Sequence, residues 1–269
     1  MIRRAFLASM LAAAAMPARA KGFAEPGLQL YTVRTLLERD YEGTLARIAG
    51  LGYREVEFAG LYPSSSPRQT LGMLKRHGLA APSGHASYEE LQGDLGAALA
   101  TANALGQGYI VCPSIDEARR RSLDDWKRIA QSFNRIGERA RRAGLAFAYH
   151  NHDFEFRPLG DQIPYDVLLA ETDPALVRFE IDLYWATSGG RDPLAYFQKY
   201  PKRFPLVHLK DMAADRSITE VGHGMIDFRR VLAEAKRAGM VHCFVEHDDP
   251  SDPMRSIETS LRYLRQLRG

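Results

Sequence analysis

The chain is 269 residues long, 45% hydrophobic and 26% charged, with a formal net charge of +3. That length suits one large domain or two small ones, and two cysteines are too few for a disulfide scaffold or a zinc-type cysteine cluster. The positive excess lies in the first twenty residues, where Arg3, Arg4 and Arg19 stand without an acid; the remainder is neutral and offers no electrostatic footprint for nucleic acid or an anionic membrane.

Residues 1–20 read as an export leader. Arg3 and Arg4 precede an apolar run from Ala5 to Met16, and Ala18-Arg19-Ala20 has the small-x-small form of a cleavage site. The run is too short to span a bilayer. Arg3-Arg4-Ala5-Phe6-Leu7 also resembles a twin-arginine signal, which carries folded proteins; a general secretion signal is the alternative. Either route predicts a periplasmic or secreted protein without stable membrane insertion.

From residue 21 to 269 short apolar runs alternate with amphipathic stretches, with no linker between them. In chain order the pattern predicts strands at Leu28–Val33, Glu55–Phe58, Ala80–His85 and Tyr109–Cys112, then at Ala146–His150, Val177–Asp182, Leu206–Leu209 and Cys243–Glu246. The helical stretches between and after them are Tyr41–Ala49, Pro67–His77, Tyr88–Leu105 and Ser122–Ala143, then Tyr165–Glu171, Pro193–Tyr200, Asp227–Ala238 and Pro253–Leu267. Gly78, Gly106, Gly144 and Gly239 stand where helix C-caps are wanted. Eight strand–helix units in one domain are the arithmetic of an α/β fold of the closed parallel (β/α)8 TIM barrel type. A doubly wound sheet would want a glycine-rich turn after the first strand, and Leu30-Tyr31-Thr32-Val33-Arg34 has none. Cys112 and Cys243 fall on opposite walls of such a barrel, which predicts two buried free thiols.

The chemistry of a barrel gathers at the C-terminal strand ends. Those positions read Tyr31, Glu57, His85, Ser114, His150 with His152, Asp182, His208 with Lys210, and Glu246. His150, Asp182, His208 and Glu246 come from four consecutive strands. Two imidazoles and two carboxylates suit one divalent ion such as Mn²⁺, Zn²⁺, Fe²⁺ or Co²⁺. Each residue alone has a plainer explanation: Asp182 as a turn cap, Glu246 as an ion-pair partner, a lone histidine as a hydrogen-bonded structural residue. Convergence of all four on one axis favours the metal.

The segments Tyr149-His150-Asn151-His152-Asp153-Phe154-Glu155-Phe156, Phe179-Glu180-Ile181-Asp182-Leu183-Tyr184-Trp185, His208-Leu209-Lys210-Asp211 and Val221-Gly222-His223-Gly224-Met225-Ile226-Asp227 resemble the sugar phosphate isomerase/epimerase family. The resemblance runs from Gly27 to Leu267 and implies the xylose isomerase-like barrel. In epimerase members the metal is held by Glu, Asp, His and Glu on strands five to eight, and the two glutamates exchange the substrate proton. Asp182, His208 and Glu246 match; His150 stands in place of the first glutamate, and Trp185 where a histidine is frequent. Glu57, His152 and Glu155 are candidates for the missing base, beside Glu246, and Lys210 for stabilising an enediolate oxygen. His152 is the alternative fifth-strand ligand, since residues two apart share a strand face. Tyr31, His85, Trp185 and His223 are candidates for binding substrate, His223 on a mobile loop that could serve as a lid.

The resemblance implies a metal-dependent sugar or keto-sugar isomerase or epimerase that removes a proton beside a carbonyl. The alternatives are a lyase or dehydratase on a keto-sugar, keto-glycoside or cyclitol, and a non-catalytic carbohydrate-binding barrel. DNA chemistry would need a basic groove that a neutral chain does not supply. A small-molecule partner is expected, and a homo-oligomer is compatible with the sequence.

Overall fold

The structure is a computed structural model and describes residues 25–60 and 66–267. The leader expected at residues 1–20 lies outside them. Ten strands occur among these residues: β1 Gly27–Gln29, β2 Glu55–Phe58, β3 Ala80–His85, β4 Tyr109–Cys112, β5 Ala146–His150, β6 Val177–Asp182, β7 Leu206–Leu209, β8 Asp211–Met212, β9 Ile218–Thr219 and β10 His242–Val245. Eight of them close a parallel barrel in the order β1-β10-β7-β6-β5-β4-β3-β2, and β8 and β9 form a small ribbon above it. Six of the eight expected strands have the observed bounds.

The first strand is shorter than expected. After Gln29 the chain turns into a 3-10 segment, Leu30–Val33, because the Gln29 side chain accepts the Tyr31 backbone N–H at 3.1 Å. A helix then follows at once over Arg34–Arg39 (α1). Tyr31 therefore lies on a turn, 39% exposed, with the Arg34 guanidinium 4.1 Å from its ring centre. The last barrel strand starts and ends one residue earlier than expected, so Glu246 sits just past its tip.

The helices wrap the barrel in chain order: α2 Tyr41–Leu51, α3 Pro67–Arg76, α4 Tyr88–Gln92, α5 Leu95–Ala104, α6 Leu123–Arg142 and α7 Pro164–Glu171 come first. They are followed by α8 Leu183–Ser188, α9 Pro193–Lys199, α10 Phe228–Ala233, α11 Ala235–Ala238 and α12 Pro253–Gln266. One expected helix divides at Gly93, where Asp94 caps α5 by accepting the Ala97 N–H. On α6 the buried residues Trp126, Ile129, Ala130, Phe133, Ile136, Gly137 and Ala140 recur at helical spacing and face the sheet. Gly137 permits this approach, since a Cβ there would lie 2.4 Å from the Leu176 carbonyl.

Most of the apolar core lies between strands and helices. A separate buried group, Val111, Ala148, Leu206 and Phe244, comes from β4, β5, β7 and β10 and fills the barrel interior. The adjacent inward positions above it carry the polar side chains. Cys112 and Cys243 are buried free thiols, as the barrel reading expects, and burial raises both thiols above their ordinary range.

Candidate metal centre

Strand parity builds the site. Asp182 pairs with His208, and His208 with Phe244, so all three point inward. One pleat above the apolar plug stand Glu57, His85, Glu180 and His208; at the mouth stand His150, Asp182, Glu246 and Lys210. Both four-residue sets, the lower one and His150–Asp182–His208–Glu246, could hold an ion, each with ligand atoms within 4.8 Å of one another. His208 belongs to both.

The two sets differ in how their atoms are used. In the upper one, His150 Nε2, Asp182 Oδ2, His208 Nδ1 and Glu246 Oε2 are all buried without a well-formed hydrogen bond, and the Lys210 ammonium lies 3.1 Å from Asp182 Oδ2 and 3.0 Å from Glu246 Oε2. His208 Nδ1 and Glu246 Oε2 approach to 2.9 Å, and His150 Nε2 and Asp182 Oδ2 to 3.7 Å, without hydrogen-bonding geometry. Lone pairs that converge in this way suit a cation. The opposite side of each group is anchored. His150 Nδ1 lies 3.2 Å from the Pro113 carbonyl, to which it donates, and that leaves Nε2 as the free lone pair. Asp182 Oδ1 accepts the Trp185 N–H at 2.8 Å, so this residue caps α8 with one oxygen and offers the other to the site. Asn151 ties the strand ends by accepting the Asp182 N–H at 3.1 Å.

Burial and neighbouring charges set the protonation of each group. Burial pushes the His150 imidazole down to about 3, and the nearby His208 adds to this, so it is neutral. His152 is pushed down to about 3 for the same reason, with His150 and Lys210 adding to it. Burial opposes the charged form of His208, but the carboxylates of Glu180 and Glu246 hold it well above its ordinary value. Glu246, despite burial, is held well below the carboxylate range by Lys210 and His208. Lys210 is itself buried, and three carboxylates keep it charged: Asp182 at 3.1 Å, Glu246 at 3.0 Å and Asp248 at 2.6 Å.

The other candidates fall in different places. His152 sits in the wall of the mouth, its ring centre 5.5 Å from both Phe154 and Trp185, and its Nδ1 is buried without a partner. Trp185 lies 5.4 Å from the Lys210 ammonium. His85, expected to bind substrate, belongs to the lower set, with Nε2 3.0 Å from Glu180 Oε2. Glu57, expected to face the mouth, is fully buried below it, because its strand position is one pleat deeper. Glu155 is likewise fully buried; it accepts the Tyr149 hydroxyl at 2.5 Å and the His152 N–H at 2.9 Å, which holds the loop after β5.

His223 is not brought to the mouth; it lines a surface groove with Arg47, Arg255 and Arg262. Its loop is pinned. One Asp211 carboxylate accepts N–H groups from Gly222 at 2.9 Å, Gly224 at 3.0 Å and Ile226 at 3.1 Å, so the expected mobile lid is a stapled turn. Sequence reasoning passed over Gln29, Glu180 and Asp248. For Glu180 the signal was present, since it lies two residues before Asp182 and shares its face.

The chain belongs to the xylose isomerase-like TIM barrel family, whose model matches residues 45–267. A sugar phosphate isomerase/epimerase from Parabacteroides distasonis has the same fold with a TM-score of 0.80 and 27% identity, over 95% of this chain and 98% of that one. An inosose dehydratase of Lacticaseibacillus casei is 28% identical over 153 residues, 49% of this chain and 50% of the relative, so the chain spans half the length of that protein. A protein named IOLI, whose crystal structure holds a zinc atom, shares the fold with a TM-score of 0.72 at 15% identity, over 91% of this chain and 98% of that one.

Proposed function

We propose that the protein is a divalent-metal-dependent enzyme that removes a proton beside the carbonyl of a sugar, keto-sugar or cyclitol. The observation that carries this reading is the set of four buried ligand atoms, on His150, Asp182, His208 and Glu246, that have no hydrogen bond of their own. A bound zinc in a protein of the same fold supports it. Such an ion would polarise the carbonyl and favour loss of the neighbouring proton. Lys210, held as an ammonium beside the site, would stabilise the developing oxyanion. Glu246 or the unpartnered nitrogen of His152 would take the proton. Trp185 offers a flat face for the ring of the substrate.

Elimination is favoured over epimerisation. An epimerase returns the proton from the opposite face and wants a second acid there, yet Glu57 and Glu155 are both turned away from the mouth and His150 replaces the fifth-strand carboxylate. With Glu246 alone remaining of the two facing glutamates, the proton is taken from one face and a β-hydroxyl or glycosidic oxygen leaves. The likeness to inosose dehydratase points the same way. Isomerisation or epimerisation is the second reading and shares the first step. The export leader read at residues 1–20 favours an unphosphorylated substrate, met outside the cytoplasm.

The test is incubation of metal-loaded protein with cyclitol ketones, keto-glycosides and ketoses, free and phosphorylated, in deuterium oxide. A conjugated enone absorbance, lost in His152→Ala or Glu246→Gln, is the expected result. Deuterium incorporation with recovery of an isomer or epimer would instead establish the second reading. No exchange and no product with any of these compounds would refute both and leave a carbohydrate-binding barrel.

A further inference from the structure

The lower set is arranged differently from the upper one, and the difference indicates what it does. Its facing atoms already have partners. Glu57 Oε2 lies 2.6 Å from His208 Nε2 and accepts from Gln29 Nε2 at 2.8 Å. Glu180 Oε2 lies 3.0 Å from His85 Nε2 and 3.3 Å from His208 Nε2. The His85 ring stacks on His208 with an interplanar angle of 20° and centres 5.7 Å apart. Glu57, Glu180 and His208 are all fully buried. The only free atoms of the two glutamates are their Oε1 oxygens.

His208 is therefore gripped from below at Nε2 while Nδ1 faces Glu246 Oε2 at 2.9 Å and Asp182 Oδ2 at 3.9 Å. A neutral imidazole that donates Nε2–H to a carboxylate has its lone pair fixed on Nδ1, and the ring cannot turn without losing that bond. Histidines that bind metals commonly have such an outer partner, and losing it costs 10- to 100-fold in affinity. We infer that Glu57 is a positioning residue for the metal centre: with Gln29 behind it and Glu180 and His85 beside it, it fixes the tautomer and aim of His208 from inside the barrel. The inference rests on the metal-centre reading. It gives a task to a β2 carboxylate that stands too deep to meet a substrate. It also assigns an order to the two sets, the upper one holding the ion and the lower one holding the ligand.

The experiment measures Co²⁺ and Zn²⁺ affinity and stoichiometry for the full-length wild type, Glu57→Ala, Glu57→Gln and His85→Ala, with thermal unfolding to confirm that each folds. The expected result is one ion per chain in the wild type. Glu57→Ala should bind roughly 10- to 100-fold more weakly with an altered Co²⁺ visible spectrum, and Glu57→Gln, whose amide oxygen still accepts from Nε2–H, should recover part of the loss. If Glu57→Ala does not fold, Glu57→Gln and the nitrogen shifts of His208 in the Zn²⁺-loaded wild type decide, with Nδ1 bound and Nε2 protonated as the expected pattern. Wild-type affinity and an unchanged spectrum in Glu57→Ala would overturn the inference while leaving the metal centre standing. Two ions per chain, one of them lost in His85→Ala, would overturn it by making the lower set a metal site. A wild type that binds no ion would refute the metal-centre reading and this inference with it.

Discussion

At the scale of single residues, burial decides which acids serve the site and which serve the fold. Glu155, with no exposed surface, has its carboxyl raised to about 7 by burial, against an ordinary 4.5. The folded state thus binds this proton more tightly than the unfolded one, so the contribution of Glu155 to stability is greatest below pH 4.5, falls between 4.5 and about 7, and is level above that. The decline amounts to about 3 kcal/mol for this group. Glu155→Gln, which keeps an acceptor for the His152 N–H, should remove that decline when unfolding is followed by denaturant between pH 5 and 8; an unchanged slope would show that Glu155 is not its source. The ligand residues were legible in the sequence because they end apolar strands. Glu57 was legible as polar but not as buried, since its depth depends on barrel register that the sequence does not display. Asp248 was missed because it lies past the strand end, where only the fold brings it 2.6 Å from Lys210.

At the scale of elements, the turn between β9 and α10 illustrates how backbone fixes a segment that looked mobile. Gly222 has φ +92°, in the left-handed region, and its Cα faces the Tyr263 ring, which a Cβ would overlap at 2.2 Å. At Gly224 a Cβ would come within 2.4 Å of both Asp211 Oδ1 and the Met212 carbonyl. Gly224→Ala should therefore break the Asp211 staple, lower stability by roughly 1–3 kcal/mol, and speed amide exchange at Gly222, Gly224 and Ile226. Unchanged exchange there would mean the turn is held by other contacts, of which the Val221 N–H to Ser260 hydroxyl bond at 3.1 Å is one. Glycines in a Gly-x-Gly run read from sequence as freedom, whereas here they admit a carboxylate. The strands were the most legible elements, being short apolar runs between turn signals. The α1 and α8 helices were not foreseen, because each is only six residues long; α8 is started by a side chain of the preceding strand, Asp182.

At the scale of the whole molecule, an apolar plug closes the barrel interior, a buried hydrogen-bonded layer lies on it, and a layer of converging candidate ligand atoms beside the Lys210 ammonium opens at the mouth. No helix among the described residues is long and apolar enough to cross a membrane. An ion that binds only the folded barrel stabilises it by mass action, about 4 kcal/mol at a thousand times its Kd. The unfolding temperature should accordingly rise by several degrees with Zn²⁺, Mn²⁺ or Co²⁺, and this shift should vanish in Asp182→Ala.

Metal content tests the central claim most directly: protein purified without chelator, wild type beside the His208→Ala, Asp182→Ala double variant. The account predicts about one transition-metal ion per wild-type chain and none in the double variant. A wild type that holds no ion, and takes up none on incubation with Mn²⁺, Zn²⁺ or Co²⁺, would contradict it.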